Sequence, residues 1–197
     1  MEASTVAYAL LGWPADGPTL RLDHREFAYA GKFVMSATGT AVAHRADGAP
    51  DDPEAVLAAA AFDADRTDER TLKLRYLTVR QDARGGGLGA RLSAFVADRA
   101  AERGFDRVAI GVNNAFSYEA LSKAGFAWTG AESGLAELVL ARPAERPAER
   151  DGDHYRAGLD RFREREGLDP AERAFLDDRR GADPPALVTP PGPDATE

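Results

Sequence analysis

Residues Arg84–Ala90 read Arg-Gly-Gly-Gly-Leu-Gly-Ala, between a strand-like run that ends at Val79 and a helix-like run that opens at Leu88. That junction presents bare backbone N–H groups at the start of a helix, where unpaired donors and the helix dipole favour an anion. Glycine tolerates positive φ and puts no Cβ between the backbone and an approaching phosphate. Residues 71–91 also carry Lys73, Arg75, Arg80, Arg84 and Arg91 against Asp82 alone, in a chain of net charge −8. A phosphate-bearing ligand is the chemistry this stretch suits. The ligand-free alternative is a tight strand-to-helix turn, for which one glycine would suffice.

Three phosphate-binding patterns compete. A Walker loop ends in Gly-Lys-Ser/Thr, whereas Gly89 is followed by Ala90 and Arg91. A dinucleotide fingerprint is formally present as Gly85-x-Gly87-x-x-Ala90, but it requires an acid at the end of the next strand, and Val112 is followed by Asn113 and Asn114. The third pattern accounts for more residues. "LTVRQDARGGGLGARL" resembles the acyl-CoA loop of the GCN5-related N-acetyltransferases, with Arg84, Gly87 and Gly89 in its Arg/Gln-x-x-Gly-x-Gly/Ala core. "VNNAFSYEALSKAGF" resembles the family's next segment, with Asn114, Gly125 and Phe126 in the matching places, and the resemblance spans residues 55–141.

The resemblance implies that the turn amides of Arg84, Gly85, Gly86, Gly87, Leu88, Gly89 and Ala90 hold the pyrophosphate of acetyl-CoA. It implies that the strand end from Leu77 to Val79 pairs with the pantetheine arm, and that Asn114 touches that arm further along. The implied reaction is direct attack by a primary amine, on a small molecule or a peptide, at the thioester carbon. A lysine-type amine has a reference pKa of about 10.4, so a base helps it to react.

The tyrosine that commonly serves as acid in the family falls at Leu121 here, a departure from the pattern. Tyr118, one helical turn earlier, is the substitute candidate, with Ser122 behind it. Glu69 is the candidate base and Asp65 the next, in the polar turn before the strand at Leu72–Val79. His24, His44 and His154 show no partner spacing, and no residue pattern indicates a metal. Loss of the acid would leave the alternative function, a non-catalytic acyl-CoA-binding module of the same fold.

The elements that must position these residues are legible from apolar spacing. Short strands are expected at Val6–Leu11, Phe33–Met35, Ala41–Ala43, Val56–Phe62, Leu72–Val79, Val108–Val112 and 135–141. Leu88, Leu92, Phe95, Val96 and Ala100 make one helical stripe closed by Gly104; Phe116, Ala120, Leu121 and Ala124 make a shorter one closed by Gly125. The fold class is therefore α/β (α+β), a mixed, largely antiparallel sheet flanked by helices. The front, residues 1–54, reads as strand-rich where the family has a helix pair, and Trp13, Phe27, Tyr29 and Phe33 there suit a core or a pocket.

The domain is expected to end at residue 141, followed by a Pro-rich linker over 142–153, a helical extension over 154–180 and a disordered tail over 181–197. "DPAE" at 169–172 reads as an N-cap, a first-position proline and a capping-box Glu172. The short helices suit packing on the core or on a second copy of the chain, which makes a homodimer a candidate assembly. The acidic balance excludes a general nucleic-acid footprint, and no apolar run is long enough to cross a bilayer. A chain without cysteine fits a reducing cytoplasm.

Overall fold

A computed structural model describes residues 5–15, 17–34, 37–134 and 136–192. Among the described residues seven strands form one sheet: β1 (Val6–Gly12), β2 (Gly39–Arg45), β3 (Val56–Ala64), β4 (Thr71–Val79), β5 (Arg107–Val112), β6 (Ala127–Glu132) and β7 (Leu138–Pro143). Their spatial order is β1-β2-β3-β4-β5-β7-β6, and β4–β5 is the one parallel pair among antiparallel neighbours. A parallel pair needs a crossover, and α1 (Leu88–Glu102) supplies it. The other helices are α2 (Ala115–Lys123), α3 (Gly152–Arg163) and α4 (Pro170–Asp178).

Both helices that the apolar stripes predict end as expected, with Gly104 at φ +87° and Gly125 at φ +84°. Gly125 has a second constraint, since a Cβ there would lie 2.8 Å from Pro147. Two strand expectations shift and one strand was not expected. Phe33 lies in a turn after a short 3-10 segment, Ala30–Lys32, rather than in a strand, and Met35 is outside the described residues. The last strand starts at Leu138 instead of 135; Leu135 is also outside the described residues, and Ala136 and Glu137 belong to the hairpin turn. β6 has no counterpart in the sequence reading, because its exposed sequence Ala-Trp-Thr-Gly-Ala-Glu shows no apolar alternation.

The two faces of the sheet are covered differently. Ala41, Ala43, Ala58, Phe62, Leu72 and Leu74 pack beneath α1 and α2. Val42, Ala59 and Ala61 face the other way, against Leu20, Phe27, Ala30 and Phe33 of the irregular segment between β1 and β2. Phe27 and Phe33 are thus core residues, and Trp13 packs edge-on to Phe62 at 5.2 Å. The front of the chain therefore supplies strands on one side and an irregular cover on the other.

The C-terminal helices bury into the main core of the same chain. Tyr155, Leu159 and Phe162 of α3 and Leu176 of α4 join the cluster beneath α1 and α2. Asp169 caps α4 by accepting from Ala171 N–H at 2.8 Å. The capping-box expectation for Glu172 is replaced: its carboxylate reaches across to accept from Ala115 N–H at the start of α2, 2.7 Å away. Beyond α4, residues 182–192 form no helix or strand, yet Val188 N–H donates to Lys123 O at 2.8 Å and Arg156 pairs with Asp183. The remainder of the tail, 193–197, is outside the described residues.

Burial does not stop at residue 141, so the packing revises the expectation of a removable tail. At about 1.5–3 kcal/mol per large buried apolar side chain, these four large buried residues of α3 and α4 contribute on the order of 6–12 kcal/mol. That equals the whole stability of an ordinary domain, about 5–15 kcal/mol. A chain ended after Ala141 is expected to lose its cooperative thermal transition in circular dichroism. A truncated chain that melts cooperatively near the full-length Tm would show that the two helices are dispensable.

Candidate functional site

The glycine turn has a division of labour. β4 ends at Val79, a 3-10 turn over Gln81–Ala83 follows, and Arg84 is extended. Gly85 and Gly87 then take φ +85° and +76°, the left-handed region that other residues avoid. Gly89 eases a close approach, since a Cβ there would lie 3.3 Å from Val79 Cγ2 as α1 crosses β4. The first backbone bond back along α1 is Arg91 N–H to Gly87 O at 3.0 Å. The amides of Leu88, Gly89 and Ala90 precede it and have no intrahelical acceptor. They form the donor set an anion requires.

Electrostatics narrows the basic cluster. Lys73 pairs with Asp65, Arg75 with Asp63 and Arg80 with Asp82, so three of the five basic residues are locally neutralised. Arg84 and Arg91 remain beside the glycines. Arg84 Nε donates to Val79 O at 3.3 Å, and both terminal nitrogens of Arg91 donate to Gly86 O at 3.0 Å. These bonds brace the turn while leaving positive charge at its surface. A cleft of ≈ 630 Å³ adjoins it, bounded by Gly86, Leu88, Arg91, Tyr8 and the Pro191–Gly192 stretch.

β4 and β5 pair only from Thr71–Arg107 to Leu74–Ile110. Past that point β5 keeps its register with β7 as far as Val112–Leu138, and β4 keeps pairing with β3 as far as Val79–Ala58. Arg75 is an extra residue on β4, since Ala61 faces Tyr76 and Phe62 faces Leu74. Such a bulge bends its strand. The two strands therefore diverge, and the mouth of the gap lies at the glycine turn. Leu77 and Val79 line the α1 side of β4 beyond the bulge. Backbone groups of Arg75–Val79 that face the gap lack a strand partner and suit an extended ligand bearing amides.

Asn114 stands on the opposite side of that mouth, at the end of β5. Its side-chain oxygen accepts from Ser117 N–H at 2.9 Å as the N-cap of α2, and its amide nitrogen donates to Asn113. The structure thus brings together the turn, the Leu77–Val79 strand end and the Asn114 junction, all at one end of the sheet.

The catalytic candidates fall elsewhere. Tyr118 is 1% exposed, its ring stacked on Tyr155 at 5.5 Å and its hydroxyl donating to Tyr155 O at 3.2 Å, beneath α3. Burial, then the neighbouring Tyr155, pushes its phenol above the usual tyrosine range, which makes it a poorer acid. Leu121 is a core residue, and Ser122 spends its hydroxyl on Tyr118 O. Glu69 is exposed in the β3–β4 turn, so the length of β4, about 30 Å for nine residues, separates it from the glycine turn. Asp65 beside it is held down to about 2 by the backbone N–H and hydroxyl of Thr67, and further by Lys73.

Histidines form no cluster. His44 approaches Arg45 O and Gly48 O, His154 stacks on Trp128 at 5.3 Å, and His24 is exposed. Among the described residues no group of three or more His, Cys, Asp or Glu could hold a metal ion, and no helix is long and apolar enough to cross a membrane.

Two site features escaped the sequence reading. Arg165, after α3, donates to Asn113 O and Ala136 O, and together with Glu172 it ties the β5–α2 junction to the C-terminal helices. Glu137 lies over Gly111 of β5, on the sheet face away from α1. A glycine inside an apolar strand marks a close approach, and that signal was present at Gly111.

Residues 9–126, more than half of the chain, match the family model for acetyltransferases of the GNAT family. Among solved structures, the chain is similar to an N-acetyltransferase from Staphylococcus aureus Mu50 at 18% identity and TM-score 0.45, covering 54% of this chain and 68% of that one. A GCN5-related N-acetyltransferase from Kribbella flavida matches at 24% identity and TM-score 0.43, covering 54% and 67%. A Bacillus subtilis acetyltransferase in complex with CoA matches at 16% and 0.44, covering 54% and 76%. No curated protein matches the chain.

Two substitutions test this geometry. Gly87→Asp places a Cβ and a negative charge at the start of α1, and should abolish any thermal stabilisation that acetyl-CoA is found to give the wild type. Retention of the full shift would move the anion away from this turn. Tyr118→Phe should cost about 0.5–1.5 kcal/mol through its lost hydrogen bond, seen as a lower Tm. Turnover should change by less than about tenfold, against the 10²–10⁴ of a general acid. A thousandfold loss of kcat with intact acetyl-CoA binding would restore Tyr118 as the acid.

Proposed function

The chain belongs to the GNAT acetyltransferase family, and from that membership we propose that it moves an acetyl group from acetyl-CoA to a primary amine by direct attack. Acetyl transfer is the family's chemistry; the donor and the amine acceptor are the reading advanced here. The observation that carries it is the conjunction of free α1 amides at Leu88–Ala90 with a β4–β5 gap opening from the same turn.

In this reading Leu88, Gly89 and Ala90 N–H groups hold the pyrophosphate, with Arg84 and Arg91 balancing its charge. The fit rests on the open cradle at Gly87 and Gly85, where the backbone has no Cβ to obstruct a phosphate oxygen. The strand end from Leu77 to Val79 pairs with the pantetheine amides, and the Asn114 junction bounds the arm on the other side. The amine nitrogen attacks the thioester carbon, the C–N bond forms, the C–S bond breaks with its electron pair leaving on sulfur, and the surplus N–H proton passes to solvent or to the departing thiolate. A thiolate is a tolerable leaving group without prior protonation, so the reaction proceeds without the phenol that Leu121 replaces.

A second reading has one observation in its favour. Tyr118 and Ser122 both spend their hydroxyls on backbone carbonyls, so neither is free as a proton donor. A binding module that retains the donor site without turnover would look the same along α2.

Acetyl-CoA at a hundred times its Kd is expected to stabilise the folded state by about 2.7 kcal/mol, read as a rise in Tm. NADH at equal concentration should leave Tm unchanged; a shift with NADH and none with acetyl-CoA would favour the dinucleotide pattern. Release of free thiol from acetyl-CoA with an amine panel separates the two readings. Stabilisation without thiol release from any amine supports the binding module.

A further inference from the structure

Gly111 interrupts the strand Arg-Val-Ala-Ile-Gly-Val of β5, and the space a side chain would fill there is taken by Glu137. A Cβ on Gly111 would lie 2.7 Å from Glu137 Oε2 and 3.4 Å from Glu137 Cβ. Ser133 Oγ donates to the same carboxylate oxygen at 3.1 Å, and Ser133 N–H donates to Glu137 O at 2.8 Å. The hairpin between β6 and β7 thus aims this carboxylate across β5.

Its place in the sheet is specific. Ile110 is the last β5 residue paired to β4, so Gly111 is the first residue of the gap. Lys73 and Arg75, the β4 cations at this level, are taken by Asp65 and Asp63. Lys32 sits on the ring of Tyr76, 5.7 Å from its centre, with Tyr29 against the same ring. Among the described residues no cation pairs with Glu137, although it is half-buried. A partly desolvated carboxylate without a counter-charge is costly, and a ligand cation removes that cost.

We propose that Glu137 anchors the ammonium group of the acceptor, and that position 111 is glycine so that this carboxylate can reach the apex of the gap. The acceptor class is then alkylamines that are charged at neutral pH. The inference rests on the acetyl-transfer reading. The bound ammonium gives one proton to solvent, and its lone pair then attacks the thioester carbon as described above.

The test uses the full chain with two probes, n-butylamine, a cation at pH 7, and methoxyamine, neutral at that pH. Glu137→Gln should raise KM for butylamine by about tenfold or more, the loss of one charge-assisted hydrogen bond. KM for methoxyamine and the Kd of acetyl-CoA should stay unchanged. Gly111→Ala keeps the charge but displaces the carboxylate, and should raise the butylamine KM in the same direction. Amide NMR of the CoA-saturated protein reads the anchor without turnover: butylamine should shift the Gly111 and Glu137 amides in the wild type and not in Glu137→Gln. If neither amine is acetylated, that titration still decides the anchor, and the failure counts against acetyl transfer alone. Unmoved Gly111 and Glu137 amides, or equal KM changes for both amines in Glu137→Gln, would overturn the anchor.

Discussion

The loss of pairing between β4 and β5 after Leu74 and Ile110 is the constraint on which the rest of this structure depends. Two adjacent strands ordinarily continue side by side until one ends, because each unpaired backbone group must find another partner. Here each strand stays loyal to its outer neighbour, β4 to β3 and β5 to β7, and the inner ladder is sacrificed. The bulge at Arg75 makes the separation structural rather than incidental, since an extra residue on one strand also reverses which side chains face which layer. Leu72 and Leu74 face α1 before the bulge, and Leu77 and Val79 face it afterwards. About 16 Å of β4 backbone, five residues at 3.3 Å each, borders the gap. The glycine turn sits at its wide end because α1 must fold back from there across β4, and Gly89 permits the close crossing.

Holding two strands apart requires support from behind, and the C-terminal helices supply part of it. Arg165 grips Asn113 O at the end of β5, and Glu172 closes the first turn of α2. Glu119, 9% exposed on α2, is paired with Arg179 of the segment after α4 and with Lys123. Burial alone would raise the Glu119 carboxyl; the hydrogen bonds from Arg179 and Lys123 outweigh it and leave the pKa lowered. Such partly buried pairs contribute more to orientation than to net stability. The same arrangement explains the fate of Tyr118. With α3 laid over α2, its ring fills the interface, and a Cβ at Gly158 would lie 2.1 Å from its hydroxyl. A tyrosine enclosed on that side is a packing residue.

Legibility from sequence followed the range of the physics involved. The glycine turn, the α1 stripe and the glycine helix ends depend on neighbours within a few residues, and all were readable from spacing. β6 was not, because an exposed edge strand needs no apolar alternation and draws its order from β7. The charge window misled for the same reason in reverse. Five basic residues at 71–91 stood against one acid in sequence, yet Asp63 and Asp65 come from the neighbouring strand and the turn after it to pair with two of them. Glu172 looked like a local capping residue and instead spans two helices. A linker rich in proline suggested a boundary, although Ala144 within it is fully buried.

The opposite ends of the gap carry opposite charge, and that asymmetry follows from which ion pairs the fold allows. At the wide end, Arg84 and Arg91 bond to the carbonyls of Val79 and Gly86, partners that brace a guanidinium without cancelling its charge. At the apex, Lys73 and Arg75 meet carboxylates and are neutralised, while Glu137 meets a hydroxyl and is not. A chain of net charge −8 thereby keeps an uncancelled positive site at the wide end of the gap and an uncancelled negative one at its apex. The anionic donor and a cationic acceptor would then approach from different directions, each toward the end whose charge it complements. Their reacting atoms would meet where the paired ladder stops, between Arg75 and Gly111.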